Sequence, residues 1–240
     1  NLPFVLSFHK IFPAIYSDSR LMLKPSEKTP LSSKYLIKTL YNCGLPKNYL
    51  QYIIGSNPKK IVKSVLNHKE IDMVSFTGSS KIGMEIKKMM IKNNHHLKKF
   101  VPELGGCSSL IICNDANLKK AVKIALDGCF KYSGQRCTSV RRVLVENKIA
   151  NKFIKLLLQN VNKIKYGNPF DKYTDLGPVI DTKIYNNAKL QVKKAIRSGA
   201  KHLYGNFYKD NVISPIILDN VNINMEIVSK ETFGPICPII

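Results

Sequence analysis

Short apolar runs alternate along this chain with segments whose apolar residues repeat at the helical period. This alternation is typical of parallel sheets covered by helices, because a strand buried on both faces is apolar throughout while a covering helix needs one apolar stripe. We therefore predict an α/β fold. The predicted strands are residues 21–24, 49–54, 73–77 and 110–113.

Helices are predicted between and after these strands. A helix at 32–43 is closed by Gly44 and Pro46, a common stop signal. Asn114 and Asp115 signal the start of another, whose apolar stripe extends to Leu126. Two amphipathic helices, 149–164 and 184–199, flank a loop at 166–181 that is rich in glycine and proline.

Composition narrows the class of protein. The chain has 240 residues, is 44% hydrophobic and carries a net charge of +22, which raises the hypothesis of a polyanion partner such as nucleic acid. The basic residues are scattered, only five are arginine, and no nucleic-acid-binding motif is present, so we expect no nucleic acid and no membrane partner. Six cysteines without C-x-x-C pairs predict reduced thiols, no metal site and a cytoplasmic protein.

Three segments carry candidate chemistry. Residues 76–83 run from a strand into a helix, and the free amides of such a turn can hold a phosphate, although an ordinary strand-to-helix turn has the same pattern. Cys137 follows Arg136 in a glycine-led loop, where a neighbouring cation favours the nucleophilic thiolate. Glu103 ends an apolar strand, where desolvation would suit it to general-base chemistry; a glutamate that simply faces water is the alternative.

Together these segments resemble the signature motifs of the aldehyde dehydrogenases in order and spacing. The matching segments are 76–83, 103–106, 134–137 and 231–235. Residues 23–30 and 175–178 extend the resemblance over essentially the whole chain, and Asn1 and Pro3 match the family's asparagine-x-proline segment. The resemblance implies a Rossmann-type cofactor domain in residues 1–104 and an α/β catalytic domain in residues 105–240. Both would be incomplete, since the chain corresponds to roughly the central half of a family member.

The resemblance also implies a mechanism. Cys137 would attack the aldehyde carbon, and the Asn1 amide and the Cys137 backbone N–H would stabilise the oxyanion. Hydride loss to the nicotinamide would leave a thioester, which Glu103 would help to hydrolyse by taking a proton from water. Because members that pass the acyl group to coenzyme A lack this glutamate, its presence favours release of the free acid.

Cofactor positions follow from the same resemblance. Lys24 and Glu27 match the residues that hold the adenosine ribose, and Gly78 and Ser79 lie near the pyrophosphate. Glu231 and Phe233 match those that bind and pack the nicotinamide ribose. A carboxylate such as Glu27 favours NAD by repelling a 2′-phosphate, while Lys24 would tolerate NADP. We expect NAD, with NADP as the alternative.

The substrate is expected to be a small, anionic aldehyde. The run at 132–138 resembles the phosphonoacetaldehyde and the non-phosphorylating glyceraldehyde-3-phosphate dehydrogenases, in which the arginine before the nucleophile contacts the substrate anion. Arg136 would have that role here, since its planar fork suits phosphonate or phosphate; alternatively it serves only to activate the thiol. Leu2 departs from both branches, which have a polar or aromatic residue at its position.

Other functions stay open at this level. The chain could be an inactive truncated remnant of such an enzyme, or a basic protein that binds polyanions. A full-length enzyme of this family is expected to be a homo-oligomer. Cys107 and Pro102 also depart from the family pattern, and neither replaces a catalytic group.

Overall fold

The structure is a computed structural model that describes residues 2–92 and 98–240. The chain forms two compact units, Asn1–Gly105 and Gly106–Ile240. Within the described ranges, none of the helices combines the length and the apolar character needed to cross a lipid bilayer.

The first unit alternates helices with short parallel strands. Proline occupies the first turn of three of its helices, where the missing N–H costs nothing and the fixed φ angle favours the helix. The helices are α1 (Pro3–Tyr16), α2 (Pro30–Asn42), α3 (Pro58–Asn67) and α4 (Ser80–Lys92). The strands are β1 (Leu21–Leu23), β2 (Leu50–Tyr52), β3 (Met73–Thr77) and β4 (Lys99–Glu103).

Two parallel pairs of strands organise this unit. β1 pairs with β2, and β3 pairs with β4 so that Thr77 lies opposite Glu103. Because parallel strands end at the same edge, the turn after β3 and the carboxylate that ends β4 share one edge of their sheet. The Gly78 N–H donates to the Glu103 carbonyl oxygen at 3.0 Å and fixes this relationship.

The second unit is built on a mixed sheet. β5 pairs in parallel with β6, β8 pairs in parallel with β9, and β7 runs antiparallel to β8. A parallel bridge between Val143 and Ile239 connects β6 to the extension of β9. The strands are β5 (Ser108–Ile112), β6 (Val140–Val145), β7 (Lys201–Tyr204), β8 (Ile216–Asp219) and β9 (Ile236–Pro238). The helices are α5 (Leu118–Phe130), α6 (Asn147–Val161), α7 (Thr182–Arg197) and α8 (Glu226–Ser229).

The core of the second unit lies where α5 and α6 cover β6. Side chains of β6 alternate between buried and half-buried, and Val143 and Val145 point inward. Phe153 and Leu157 of α6 are fully buried in the same cluster. Each such side chain contributes roughly 1.5–3 kcal/mol through burial, so this cluster is a main source of the unit's stability.

Most predicted helices and strands are confirmed, although some of their ends differ from the prediction. The strand at 73–77 is β3. The prediction that Asn114 and Asp115 start α5 is wrong: the N-cap is Asn117, whose side-chain oxygen accepts from the Lys120 N–H at 3.1 Å. Asn114 instead donates its backbone and side-chain N–H groups to Glu146.

Candidate active site

Cys137 is the last residue of a turn with a left-handed section, residues 131–137, which we call the cysteine turn. Tyr132, Ser133 and Gly134 have φ angles of 56°, 55° and 67°, a conformation that costs about 1–2 kcal/mol for each residue other than glycine. Such strain persists only where surrounding contacts hold it, and it is concentrated at functional sites.

Contacts on both sides hold the cysteine turn. The Ser133 hydroxyl donates to the Gly177 carbonyl oxygen at 2.7 Å, and the Gln135 side-chain oxygen accepts from the Ile180 N–H at 2.8 Å. Both partners belong to the loop predicted at 166–181. This loop is therefore part of the scaffold that places the cysteine.

Cys137 itself is half-buried at the end of the turn. Its carbonyl oxygen lies so close to Gly106 that a Cβ atom there would be 2.8 Å from it. Among residues 2–92 and 98–240, the structure gives its backbone N–H no acceptor. A reachable thiol next to an unused N–H donor is the arrangement that a nucleophile with an oxyanion site requires.

Arg136 caps the end of a helix. One of its terminal nitrogens donates to the carbonyl oxygens of Asp127 and Gly128, at 2.7 and 3.2 Å, in the last turn of α5. A cation at this end also complements the helix dipole. Its Nε is buried and has no hydrogen-bond partner within the part of the chain that the structure describes. The predicted contact with a substrate anion stays a prediction.

Glu231 and Phe233 lie on a second segment of the same unit, residues 231–235, which we call the Glu231 segment. Burial raises the pKa of the Glu231 carboxyl, while nearby Arg141 and a hydrogen bond from the Gly106 N–H oppose the rise. The Oε1 atom of Glu231 is buried and accepts no hydrogen bond from any described residue. Phe233 has a φ of 52°, and its ring lies 5.6 Å from the Arg141 guanidinium.

Arg141 was not selected by the sequence analysis, although a signal existed. It precedes Val143 and Val145 at the alternating positions of β6 that face the core, so its burial could have been inferred. It is 1% exposed, and one terminal nitrogen lies 3.9 Å from Glu231 Oε1.

Glu103 lies at the end of β4 in the first unit. Its side chain is exposed, so the predicted desolvation is wrong: the strand ends there and the carboxylate projects past it. Lys10 of α1, also missed by the sequence analysis, donates to the Ser75 hydroxyl at 2.8 Å and interacts electrostatically with Glu103. Burial lowers the pKa of Lys10 and Glu103 opposes this effect. A lone lysine among the apolar residues of α1 was the available signal.

The predicted positions for the adenosine half of the cofactor lie at strand ends in the first unit. Lys24 directly follows β1 and forms an ion pair with Glu27 at 3.6 Å. Gly78 and Ser79 follow β3, and the Ser79 hydroxyl accepts from the Ile82 N–H at 3.4 Å at the start of α4. Asn1, the predicted oxyanion donor, lies outside the described residues.

Metal ligands are not assembled in the described parts of the chain: no group of three or more His, Cys, Asp or Glu side chains is placed to hold an ion. All six cysteines are free.

Strands that pair mostly in parallel and alternate with helices define an α/β protein, and its strained turn carries a half-buried cysteine. The sequence profile of the Aldehyde dehydrogenase family matches residues 1–240. The chain belongs to this family.

Individual relatives agree. The 3-sulfolactaldehyde dehydrogenase of Priestia aryabhattai is 35% identical over 235 residues, which are 98% of this chain and 48% of the relative. A crystal structure of betaine aldehyde dehydrogenase from Staphylococcus aureus in complex with NAD+ has a TM-score of 0.91 at 34% identity over 99% of this chain and 48% of that one. A crystal structure of an NADP-dependent enzyme of E. coli has a TM-score of 0.94 at 29% identity over 99% and 49%. The chain thus spans about half the length of the relatives that it matches.

Proposed function

We propose that this chain carries the thiol site of an enzyme that oxidises an aldehyde to a carboxylic acid with NAD(P). The observation that carries the proposal is the cysteine turn, which presents a half-buried thiol next to its own unused N–H donor. Membership in the aldehyde dehydrogenase family supports the same chemistry.

In the proposed reaction, the Cys137 thiolate adds to the carbonyl carbon and the carbonyl oxygen becomes an oxyanion. The Cys137 N–H and the Asn1 side-chain amide donate hydrogen bonds to this oxyanion. The resulting thiohemiacetal is positioned by the sulfur bond, and its oxidation leaves a thioester on Cys137. The complete reaction converts an aldehyde, water and the oxidised cofactor into a carboxylate, the reduced cofactor and two protons.

Glu103 serves as the general base for hydrolysis. It takes a proton from the water molecule that attacks the thioester carbon, and the thiol is released. The exposure of Glu103 at the end of β4 keeps it accessible to water, and the Lys10 cation lies close enough to interact with it electrostatically.

The Glu231 segment is suited to bind a ribose. Glu231 Oε1 is buried without a donor among the residues that the structure describes, and a ribose hydroxyl is a donor that would satisfy it. Phe233 packs beside it. Lys24 and Glu27 would hold the adenosine ribose, and Gly78 and Ser79 would hold the pyrophosphate next to the N-terminus of α4. The cofactor, when bound, supplies the hydride acceptor. The NAD+ complex of the S. aureus relative supports NAD, with NADP as the alternative.

For the substrate, we propose a small aldehyde with an anionic group, phosphonoacetaldehyde first and glyceraldehyde 3-phosphate second. The relative from Priestia aryabhattai is a 3-sulfolactaldehyde dehydrogenase, and the name of its substrate describes a sulfonated aldehyde. The buried Nε of Arg136 has no acceptor in the described part of the chain, and an anionic substrate oxygen would satisfy it.

Steady-state NADH formation tests the reaction. The chain should be expressed with any coding sequence that flanks it in its gene and assayed with phosphonoacetaldehyde and with acetaldehyde. We expect Cys137→Ser to abolish turnover and Cys113→Ser, at an exposed thiol outside the site, to preserve it. Undiminished turnover in Cys137→Ser, or no turnover of any aldehyde by the wild type, would refute the proposal.

Substrate charge is tested separately with Arg136→Met. We expect KM for phosphonoacetaldehyde to rise by about tenfold or more, as for loss of a charge-assisted contact, and KM for acetaldehyde to change little. Equal losses for both aldehydes would assign Arg136 to capping α5 alone.

A further inference from the structure

Arg141 is the largest of the side chains that lie fully buried in the described residues. A guanidinium group in such a place must be paired, because an uncompensated buried charge costs several kcal/mol. The identity of its partners therefore shows what the fold gains by retaining it.

Backbone carbonyl groups of two distant segments are those partners. One terminal nitrogen donates to the carbonyl oxygens of Gly134 and Arg136, at 2.7 and 2.8 Å, both in the cysteine turn. The other donates to the Gly234 carbonyl oxygen at 3.2 Å, in the Glu231 segment. The planar fork thus spans the segment that bears the nucleophile and the segment proposed to bind the nicotinamide ribose.

Its charge has a second effect. The 3.9 Å between Arg141 and Glu231 Oε1 is too long for a hydrogen bond but short for an electrostatic attraction in a buried setting. Glu231 therefore gains a nearby cation without using the acceptor capacity of Oε1. That oxygen stays available for a ligand.

We propose that Arg141 is a positioning residue, which fixes the separation of the cysteine turn and the Glu231 segment and supplies the cation that keeps Glu231 ready to accept from a ribose hydroxyl. This inference rests on the proposed function. It adds a residue that touches neither substrate nor cofactor and acts through Cys137 and Glu231.

The expected effect of pH on ribose binding follows from the titratable and charged groups around Arg141 and Glu231. Burial raises the pKa of Glu231, and the Arg141 cation and the Gly106 N–H oppose this rise. Arg141 is itself faced by Glu231, Cys129, Cys107 and Arg136, and burial lowers its pKa. Without the Arg141 charge the pKa of Glu231 rises further, so Glu231 becomes protonated at a higher pH and binds a ribose hydroxyl less well there.

NAD+ binding by isothermal titration calorimetry across pH tests this, with Arg141→Met, Arg141→Lys and a matched control, Arg142→Met. Arg142 is the neighbouring arginine of β6, and it donates instead to the Ser109 hydroxyl and the Val228 carbonyl oxygen. We expect Arg141→Met to weaken NAD+ binding by about tenfold or more. We also expect it to shift the acid limb of the binding curve, the range in which affinity is lost as the pH falls, to higher pH. Arg142→Met should leave the position of that limb unchanged.

The Arg141→Lys variant distinguishes the effect of the positive charge from the effect of the planar guanidinium group. Lysine keeps the cation but cannot reproduce the planar set of donors, so we expect the wild-type acid limb together with a several-fold change in the rate at which iodoacetamide alkylates Cys137. Alkylation is followed by peptide mass spectrometry and needs no cofactor. Circular dichroism shows whether each variant is folded. If Arg141→Met does not fold, Arg141→Lys is the variant used for the test.

The outcomes are distinct. If the wild type binds no NAD+, the proposed function fails, and the alkylation rates alone decide the positioning of the cysteine turn. If the wild type binds and the curve of Arg141→Met superposes on it, the role of Arg141 is refuted. Wild-type affinity and wild-type alkylation in Arg141→Lys would overturn the role of the fork.

Discussion

Gly134 approaches the backbone of Gly234 so closely that a Cβ atom on Gly134 would lie 2.1 Å from the Gly234 carbonyl oxygen. The contact joins the cysteine turn to the Glu231 segment through backbone atoms alone. A φ of 67° at Gly134 adds a second reason for glycine at this position.

Replacement of Gly134 by alanine should therefore be strongly destabilising. The methyl group must displace backbone and the residue must keep a left-handed conformation, so we expect a loss of ~3 kcal/mol or more in the free energy of unfolding. The measurement is urea denaturation followed by circular dichroism. Gly199→Ala is the control, because Gly199 has a φ of 101° but nothing within 4 Å of its Cβ position. It should lose only about 1 kcal/mol. Equal losses in the two variants would contradict the close approach.

The packing of α6 gives a second prediction. Leu157 is fully buried, so Leu157→Ala should lower the free energy of unfolding by about 2–5 kcal/mol through lost burial and a cavity. Leu190 of α7 is 53% exposed, and Leu190→Ala should change the free energy of unfolding by about 0.5 kcal/mol or less. Thermal and urea unfolding of both variants compare them; a similar loss in both would show that α6 does not pack as described.

Glu226 gives a prediction about pH. Its side chain accepts from Lys194 at 2.8 Å and Lys230 at 2.7 Å, and these hydrogen bonds lower its pKa from 4.5 to about 2. Because the pKa is lower in the folded state, the ion pairs stabilise the fold above pH 4.5 and the contribution disappears as the pH falls through about 2. Glu226→Gln should lower the Tm at neutral pH, and the difference from wild type should shrink in acid and in high salt. A difference in Tm that changes with neither pH nor salt concentration would refute the ionic origin of this stabilisation.

Thiol reactivity provides a fourth prediction. Cys43 and Cys113 are exposed, Cys107 and Cys137 are half-buried, and Cys129 and Cys237 are buried. A hydrogen bond with Cys129, together with burial, raises the pKa of the Cys237 thiol well above its usual value, so both members of this pair should resist N-ethylmaleimide until the protein unfolds. Peptide mass spectrometry over a time course gives the order of labelling. Early labelling of Cys129 or Cys237 would contradict their burial.

The fold could be predicted where local pattern and tertiary environment agree. The helix α5 follows from periodicity because its apolar stripe faces a core, and the strand β3 is present as predicted although none of its residues is buried. The strand β6 was not predicted, because the adjacent charges of Arg141 and Arg142 interrupt its apolar alternation. Those charges are tolerated because carbonyl groups far along the sequence accept from them. The last strand, β9, was missed because it is short and includes Pro238.

The features of the candidate site likewise fall into two groups, those that the sequence could predict and those that it could not. Motif order and spacing were enough to select Cys137, Glu103 and the Glu231 segment as hypotheses. The capping of α5 by Arg136 and the hydrogen bonds that Arg141 donates depend on contacts between segments, which no local pattern encodes. Glu103 was expected to be desolvated because its strand is apolar, but a side chain at the end of a strand faces water.

The contacts of Gly134 with Gly234 and of Arg141 with the Glu231 segment also bear on the order of folding. They connect parts of the chain that are separated by 93 residues or more, and the loop between them must close before they can form. On a ribosome, the residues around Cys137 emerge long before residues 231–234 exist. Cys137, the proposed nucleophile, should therefore acquire its final geometry only after residues 231–234 have been synthesised, which leaves the nascent chain without this arrangement until then.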